Sequence, residues 1–585
     1  MRHSLAPSLA RFHLLLAALG LVLGASGAGA RDHGRAEQRL ETAFLTGDAR
    51  LAGPLDLSAF APGPGSARGE AFEGVLRIAP IPGSGGLRAV GETRVTRSEA
   101  AQIALPPAVS IALIADGEAL IPAIRAALAP DGALWEWIFE PGRIWTDPAD
   151  GGWSRASLPF ALRERNANCT HNGVLTFLYR ADGGVSRAAW EIASETCAYF
   201  KADIWGMAAL RFDAQHLAGR DRLIAAYRRE VAARLPTRPI EEIGDALSGV
   251  SAGSFGAAAE VKPANMTAYG VYAAGVHWVG GCATRHGHYP YCDVLDLPSY
   301  SLAKSLFAAT ALMRMELLNP GTSRERIIDH VPQCDGRWAD VRLIDALDMA
   351  TGLYASADFE ADEDSAAMLR FLSADQHDQR AALACTMFDR REDPGRRWVY
   401  HTSDTYLVGT ALQQLLRARN GPEADIYRDL IVDPIWRRLG LSPVLDASVR
   451  SYDAVRQPLA GWGLMLHRDD VVRLGRFYLG GGKIGGQPVI DPAMLAAALQ
   501  RDPAAPGLAA GSSAMRYQHG FWAWDIGASI GCTRSVWVPF LSGYGGITVA
   551  LFPNGVIYYY FSDGREFAWA RAAKAANQIQ SMCVS

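Results

Sequence analysis

Two β-rich runs near the C-terminal end of the chain constrain the fold most, because together they predict a hairpin. Gly546–Phe552 and Val556–Gly564 are rich in β-branched and aromatic residues, and Asn554-Gly555 lies between them. An Asn-Gly pair favours a tight turn, since both residues tolerate the positive backbone angles that such a turn needs. A helix-compatible run, Arg565–Met582, follows. The pattern predicts two late strands covered by a final helix.

Two further strand-like segments lie much earlier, within Ala268–Cys282, and a long, mostly helical stretch separates them from the hairpin. Early strands, a helical insertion, late strands and a last helix predict an α+β domain over residues 265–585. Its antiparallel sheet, flanked by helices, would be built from both ends of that region.

The preceding part of the chain has a different character. Short apolar segments recur between Gly, Asp and Pro, and Gly173–Ile192 reads strand, Asp-Gly-Gly turn, strand. We therefore expect a β-rich N-terminal domain over 76–240. A segment of low periodicity, 31–75, would precede it, and a Gly/Ser/Ala-rich linker, 241–264, would follow it.

The N-terminus has the pattern of an export signal. A basic start is followed by the apolar stretch Leu14–Leu23 and the small residues Ala28-Gly29-Ala30. This pattern predicts a signal peptide over 1–30 and a secreted or periplasmic protein; a retained anchor is the alternative, although the run is short for a span. No other apolar run is long enough to span a bilayer. The formal net charge of -4 argues against a general nucleic-acid binder.

Export changes the interpretation of the eight cysteines, because an oxidising compartment permits disulfides. Pairing neighbours in sequence gives four candidate bonds, although the sequence leaves the connectivity open: Cys169–Cys197, Cys282–Cys292, Cys334–Cys385 and Cys532–Cys583. His286 and His288 between two of these cysteines suggest zinc as an alternative, but we favour a disulfide-closed loop and predict no metal. Asn168 and Asn265 lie in glycosylation sequons.

Ser301 and Lys304 lie three residues apart at the start of a helix-prone run, "PSYSLAKSLF". That offset places both side chains on one helix face. A serine needs a base to become a nucleophile, and a lysine becomes one when burial loosens its proton. Leu302, Ala303 and Leu306 make burial plausible. A capped helix with an exposed lysine is the structural alternative.

Further segments follow in a recognisable order: "WVYHTSDTYLVGTALQQLL", which contains Tyr400, and "LSGYGGITVALF", which contains Tyr544-Gly545-Gly546. With "SLAK", they make the region from about residue 265 onward resemble the serine β-lactamase-like hydrolases. That family includes class C β-lactamases, D,D-peptidases, family VIII esterases and 6-aminohexanoate-dimer hydrolases. The resemblance implies a β-lactamase/transpeptidase-like fold. It covers a little over half of the chain, and the N-terminal domain resembles no family.

The resemblance also implies roles for individual residues. Ser301 matches the acylated nucleophile and Lys304 its partner base. Tyr400 matches the tyrosine of the Tyr-x-Asn element, since Gly409 falls at the family's distance downstream. Tyr544-Gly545-Gly546 matches the strand motif that lines the pocket, and the N–H groups of Ser301 and Ile547 would form the oxyanion hole.

Two positions depart from the family pattern. Thr402 replaces the asparagine of Tyr-x-Asn, and Tyr544 replaces the lysine of Lys-Thr-Gly, so a cation that would bind a β-lactam carboxylate is absent. An alternative register places Ser403-Asp404-Thr405 at the second motif; we favour Tyr400. His401 and His467 are interpreted as structural, and the acidic run Asp358–Ala366 as a solvated loop.

These observations predict a secreted serine hydrolase that cleaves a small-molecule ester or amide through an acyl-enzyme. No cofactor, nucleic acid or stable membrane span is expected, and the partner of the N-terminal domain is unknown. The alternatives are a D,D-peptidase or penicillin-recognising protein, and a non-catalytic binding module on the same scaffold.

Overall fold

The structure is a computed structural model and describes residues 38–583 except 92, 94–102, 129 and 131. The predicted signal peptide lies outside the described residues. The strands are β1 Ala67–Arg68, β2 Glu73–Pro80, β3 Gly86–Ala89, β4 Val109–Asp116, β5 Ala119–Pro122, β6 Trp135–Phe139, β7 Gly142–Thr146, β8 Ser154–Glu164, β9 Thr170–Tyr179, β10 Val185–Thr196, β11 Ala202–Ala214, β12 Thr237–Pro239, β13 Met266–Ala273, β14 Val276–Gly281, β15 Ala283–Thr284, β16 Gly287–His288, β17 Leu297–Pro298, β18 Met465–Leu466, β19 Lys483–Ile484, β20 Gln487–Pro488, β21 Leu508–Ala510, β22 Ser512–Gln518, β23 Phe521–Asp525, β24 Trp537–Gly543, β25 Ile547–Leu551 and β26 Ile557–Ser562.

The α-helices are concentrated between the early and late strands, as the sequence predicts. They are α1 Thr42–Thr46, α2 Arg220–Ala233, α3 Ile243–Ala246, α4 Thr310–Leu318, α5 Leu343–Leu347, α6 Ala366–Ser373, α7 His377–Thr386, α8 Thr402–Asn420, α9 Arg437–Leu439, α10 Arg468–Leu479, α11 Pro492–Ala498 and α12 Ala570–Ile579. Two π-helical segments, Lys304–Ala309 and Tyr427–Trp436, precede α4 and α9 respectively.

The second half of the chain forms an α+β domain around a nine-stranded sheet. The strand order is β12-β14-β13-β26-β25-β24-β23-β22-β21, so an early strand, β13, pairs antiparallel with the last strand, β26. The Asn554-Gly555 hairpin joins β25 to β26, with Leu551 opposite Ile557. The prediction of an antiparallel sheet assembled from both ends of this region is confirmed.

Alternation along β26 explains why helices cover both faces of this sheet. Tyr559 and Phe561 belong to the core shared with the helical insertion, whereas Tyr558 and Tyr560 belong to a second core that contains α12. Because successive strand residues point to opposite faces, an all-apolar strand requires cover on both sides.

The N-terminal region forms an eleven-stranded antiparallel sheet. It closes on itself, because β8 pairs with both β9 and β7. Strand β2 begins at Glu73 and α2 ends at Ala233. Residues 38–60 are packed rather than loose, since Leu45, Leu55 and Phe60 lie in the core between the two sheets.

The segment 241–264, which the composition predicted to be a linker, packs against the second domain. It forms short helical turns whose side chains Ile243, Val250, Phe255 and Val261 are buried under the nine-stranded sheet. Just before it, β12 pairs with β14. The Gly/Ser/Ala-rich composition suggested a linker, but the spaced apolar residues fold back because burying them is favourable.

The structure joins the same four cysteine pairs that neighbour pairing gives: Cys169–Cys197, Cys282–Cys292, Cys334–Cys385 and Cys532–Cys583. Because Cys282 is bonded to Cys292, neither thiol is available for the alternative zinc site. His286 instead contacts Asp203, with Nε2 and Oδ2 3.3 Å apart, and His288 is exposed.

Asn168 connects the N-terminal region to the second domain. Its Oδ1 accepts hydrogen bonds from the backbone N–H groups of Tyr300 at 2.9 Å and Gly463 at 2.8 Å, and from Ser299 Oγ at 3.2 Å. Its side chain is only 1% exposed, so the sequon at this position lies inside the folded protein. One buried amide therefore fixes two backbone segments of the other domain.

We expect Asn168→Ala to lower the free energy of unfolding by about 2–4 kcal/mol, because two buried N–H groups lose their acceptor. Urea denaturation followed by fluorescence measures the change. The exposed Asn420 provides the control, and Asn420→Ala should change stability by less than about 0.5 kcal/mol. Equal losses in the two variants would contradict this role for Asn168.

Candidate functional site

Ser301 lies in a turn between β17 and the π-helical segment Lys304–Ala309. The preceding residue, Tyr300, has a positive φ of 41°, which a bulky residue seldom adopts. Ser299 N–H is bonded to Leu464 O at 2.9 Å, and Lys304 N–H is bonded to Ser301 O at 3.0 Å. Within the described residues, the backbone N–H of Ser301 has no acceptor. The turn therefore presents Ser301 rigidly and with a free backbone donor.

Lys304 lies directly against Ser301. Its Nζ is 2.8 Å from Ser301 Oγ, 2.9 Å from Thr402 Oγ1 and 3.5 Å from Gly461 O, and the residue is 2% exposed. Burial lowers the pKa of Lys304 from its usual 10.5 to about 8, although the nearby Glu363 acts in the opposite direction. A substantial fraction of the lysine is therefore neutral in mildly alkaline solution.

Thr402 decides how Lys304 is oriented. Its hydroxyl hydrogen bonds to the Glu363 carboxylate, which can only accept, so the hydroxyl accepts from Lys304. When Lys304 is neutral, its two N–H bonds are directed at Thr402 Oγ1 and Gly461 O. The remaining lone pair then faces Ser301 Oγ, which is the orientation that a base requires.

Tyr400 completes the group around Ser301. Its ring centroid lies 5.0 Å from Lys304 Nζ, and the neighbouring Ser301 hydroxyl acts to lower the pKa of the Tyr400 phenol. Burial, with a smaller contribution from Glu363, raises the pKa of Tyr400 well above 10. The phenol therefore stays protonated and acts as a hydrogen-bond donor.

Within the described residues, no hydrogen bond joins Ser403 or Asp404, the residues of the alternative register, to Ser301 or Lys304. Ser403 and Asp404 are buried in the first turn of α8, and Asp404 contacts His401, with Oδ2 and Nδ1 3.6 Å apart. His401 is held between Asp404 and Asp362, and these carboxylates outweigh burial and raise the pKa of His401 to about 9. The structure thus brings Tyr400, and not Ser403, to Ser301.

Most of the acidic run Asp358–Ala366 is exposed, as expected of a solvated loop, but Asp362 and Glu363 make contacts inside the domain. Asp362 is 3% exposed and accepts hydrogen bonds from Ala355 N–H, Ser356 N–H and His401. Glu363 accepts from Thr402 N–H at 2.8 Å. The charge pattern alone indicated only solvation; which acid folds inward depends on contacts 39 residues away in sequence.

Tyr544-Gly545-Gly546 form the loop between β24 and β25 rather than the head of a strand. Gly545 and Gly546 have φ of 93° and 104°, and a Cβ at Gly546 would lie 2.5 Å from Ser562 Oγ, so glycine is required there. The ring of Tyr544 is 5.7 Å from that of Tyr300 and 6.4 Å from that of Tyr199 in the N-terminal region. The loop borders the turn that carries Ser301.

Ile547, the second expected oxyanion donor, lies inside the nine-stranded sheet. It is fully buried in β25 and paired with Gly543 on one side and Phe561 on the other. A residue paired on both sides directs its N–H at a neighbouring strand. Gly543, by contrast, ends β24 so close to the turn that a Cβ there would lie 2.8 Å from Ser299 O. The residue after it, Tyr544, has no backbone acceptor within the described residues.

No family model and no curated protein matches the chain. It is similar to solved structures of the kind that the sequence resembles. A candidate 6-aminohexanoate-dimer hydrolase from Bacillus anthracis has 14% identity and a TM-score of 0.42, with 59% of this chain and 86% of that chain covered. A penicillin-binding protein homolog from Caulobacter crescentus has 19% identity and a TM-score of 0.40, with 60% and 97% covered. A family VIII carboxylesterase has 15% identity and a TM-score of 0.40, with 59% and 98% covered. Similarity at this level assigns no activity to this chain.

We expect Thr402→Val to slow covalent labelling of Ser301 by a fluorophosphonate by about 10–100-fold, because Lys304 loses the acceptor that orients it. Thr402→Ser keeps the hydroxyl and should label at nearly the wild-type rate. Second-order labelling rates measured by intact-mass spectrometry provide the comparison. If valine and serine behave alike, the hydroxyl does not orient Lys304.

Proposed function

We propose that this protein is an exported serine hydrolase that cleaves an ester or amide through an acyl-enzyme. One observation carries the proposal: the buried Lys304 Nζ lies 2.8 Å from Ser301 Oγ. A hydroxyl within hydrogen-bond reach of a base with lowered pKa is the arrangement that nucleophilic catalysis requires. A capped helix with a surface lysine would leave Lys304 exposed.

The proposed reaction begins when neutral Lys304 accepts the Ser301 proton while Ser301 Oγ attacks the substrate carbonyl carbon. The tetrahedral intermediate collapses, and the leaving alcohol or amine takes a proton from the Tyr400 hydroxyl, which Lys304 replenishes. Lys304 is the base and Tyr400 the donor, because burial lowers the pKa of the lysine to about 8 and raises that of the tyrosine well above 10. Water then hydrolyses the acyl-Ser301 ester.

The oxyanion requires two backbone donors near Ser301. We assign these to the N–H groups of Ser301 and Tyr544, in place of the expected Ile547. Both groups lack acceptors within the described part of the chain, and β24 ends beside the Ser299–Ser301 turn. Donors that are free before the substrate arrives need no rearrangement during the reaction.

The surroundings of Ser301 favour neutral substrates over anionic ones. Glu363 and Glu360 both act electrostatically on Lys304. Tyr400 stacks near Trp522, with ring centroids 6.0 Å apart, and the ring of the half-exposed Phe359, which belongs to the acidic run, lies 5.9 Å from that of Trp398. Aromatic side chains beside acidic ones suit an uncharged, partly apolar ester or amide.

Export is part of the proposal. Four disulfides in one chain suit an oxidising compartment. Within the described residues, no helix combines the length and the apolar character that crossing a bilayer requires. The reaction as proposed uses only side chains and water.

Intact-mass spectrometry after fluorophosphonate treatment tests the nucleophile directly. We expect one adduct on the mature protein, none on Ser301→Ala and one on Ser403→Ala, the matched control for the alternative register. An unlabelled but folded wild-type protein would indicate a binding module instead. Stable labelling by a fluorescent penicillin, with no hydrolysis of neutral esters, would favour the D,D-peptidase alternative.

The pH dependence tests Lys304 as the base. We expect kcat/KM for an active neutral ester to rise as pH increases through about 8, because only neutral Lys304 accepts the Ser301 proton. The Glu363 charge raises the pKa of Lys304, so Glu363→Gln should shift the midpoint to lower pH. Glu423→Gln, at an exposed position, should leave the midpoint unchanged. If the midpoint is the same in Glu363→Gln and the wild type, the assignment of Lys304 as the base is contradicted.

A further inference from the structure

Three buried side chains from different parts of the fold meet where the N-terminal sheet contacts the second domain. They are Glu140, Asp296 and His467, each no more than 2% exposed, and their donor atoms lie within 4.8 Å of one another. His467 Nε2 is 3.5 Å from Glu140 Oε1 and 3.8 Å from Asp296 Oδ1. These three side chains are different from those that surround Ser301.

The backbone fixes this arrangement. Leu297 pairs with Leu466 across β17 and β18, so Asp296 and His467 are the next residues opposite each other. Asn172 of β9 holds the main chain of Asp296 through hydrogen bonds of 2.9 and 3.2 Å. Glu140 follows β6, and its N–H is bonded to Pro159 O at 3.1 Å. Each donor thus stands on a rigid element.

The atoms that face one another within the cluster are unpartnered. Glu140 Oε1, Asp296 Oδ1 and His467 Nε2 have no hydrogen-bond partner within the described residues, although all three are buried. Buried polar atoms without partners are rare, and each requires an explanation. Three such atoms converging on one point indicate a shared ligand.

The charges of the cluster call for a cation. Arg125 contacts Glu140, but it also contacts Glu230, with Nη1 and Oε2 3.2 Å apart. In the part of the chain that the structure describes, the only ion-pair contact of Asp296 is His467. Among the direct contacts of the described residues, two carboxylates therefore meet one shared guanidinium, and a bound cation would add positive charge in a buried place, where an uncompensated carboxylate is costly.

We propose that Glu140, Asp296 and His467 bind one divalent first-row transition ion, with Zn²⁺ as the best fit. One imidazole nitrogen and two carboxylate oxygens form a common zinc donor set, with a water completing four ligands. Bonds of about 2.0–2.1 Å place tetrahedral ligands about 3.4 Å apart, close to the 3.5 and 3.8 Å that separate His467 Nε2 from the two carboxylate oxygens. The ion would tie the N-terminal sheet to the strand that leads into Ser301.

Metal analysis of the full-length protein tests this proposal. The protein is produced in zinc-supplemented medium, purified without chelator and analysed for zinc and the other first-row metals. We expect about one zinc per chain in the wild type and almost none in Glu140→Gln or Asp296→Asn. The buried His277, whose Nε2 lies 2.8 Å from Tyr559 Oη, provides the control, and His277→Gln should retain the metal.

Thermal unfolding of the wild type gives a second readout that needs no variant. A strong chelator should lower the Tm of the wild-type protein and leave that of folded Asp296→Asn unchanged. A wild type that contains no stoichiometric metal, even after refolding with Zn²⁺, would overturn the proposal. Full metal content in both ligand variants would overturn it as well.

Discussion

Burial of the Lys304 amine is the constraint on which the rest of the site depends. Removal of the Lys304 ammonium group from water lowers its pKa, and the nearby Glu363 carboxylate partly offsets this decrease. Thr402 stands between the two and hydrogen-bonds both. The balance leaves a lysine that changes charge near pH 8 while its lone pair faces Ser301. A more exposed lysine would stay charged, and a buried lysine without hydrogen-bond acceptors would destabilise the fold.

The N-terminal sheet takes part in this arrangement although, among its described residues, no side chain hydrogen-bonds Ser301 Oγ. Asn168 holds the backbone of Tyr300, and Asn172 holds that of Asp296, so the turn carrying Ser301 is fastened from outside its own domain. Tyr199 also approaches Tyr544 at the border of the site. The positive φ of Tyr300 persists because its surroundings are fixed in this way.

Whether a feature of the fold or the site could be predicted depends on how far apart in sequence its interacting residues lie. The Asn554-Gly555 hairpin and the Ser-x-x-Lys offset are local patterns, and the structure contains both. Glu363 and Asn168 act through contacts far away in sequence, and an acidic run or a sequon gives no sign of them. Motif matching pointed to the N–H of Ile547, whereas our proposal uses that of Tyr544, because a motif fixes neither the length of a hairpin loop nor which N–H lies outside the strand pairing.

The disulfides have a consequence for how the chain holds together. Each bond joins two cysteines that lie either both in the N-terminal region or both in the second domain. The two cysteines of a pair are at most 51 residues apart in sequence. The two regions are therefore linked covalently only by the single peptide strand between them, and otherwise by packing, hydrogen bonds and ion pairs. A nick in that strand would yield two separately cross-linked polypeptides with complementary surfaces, so the complete site would be a property of their association.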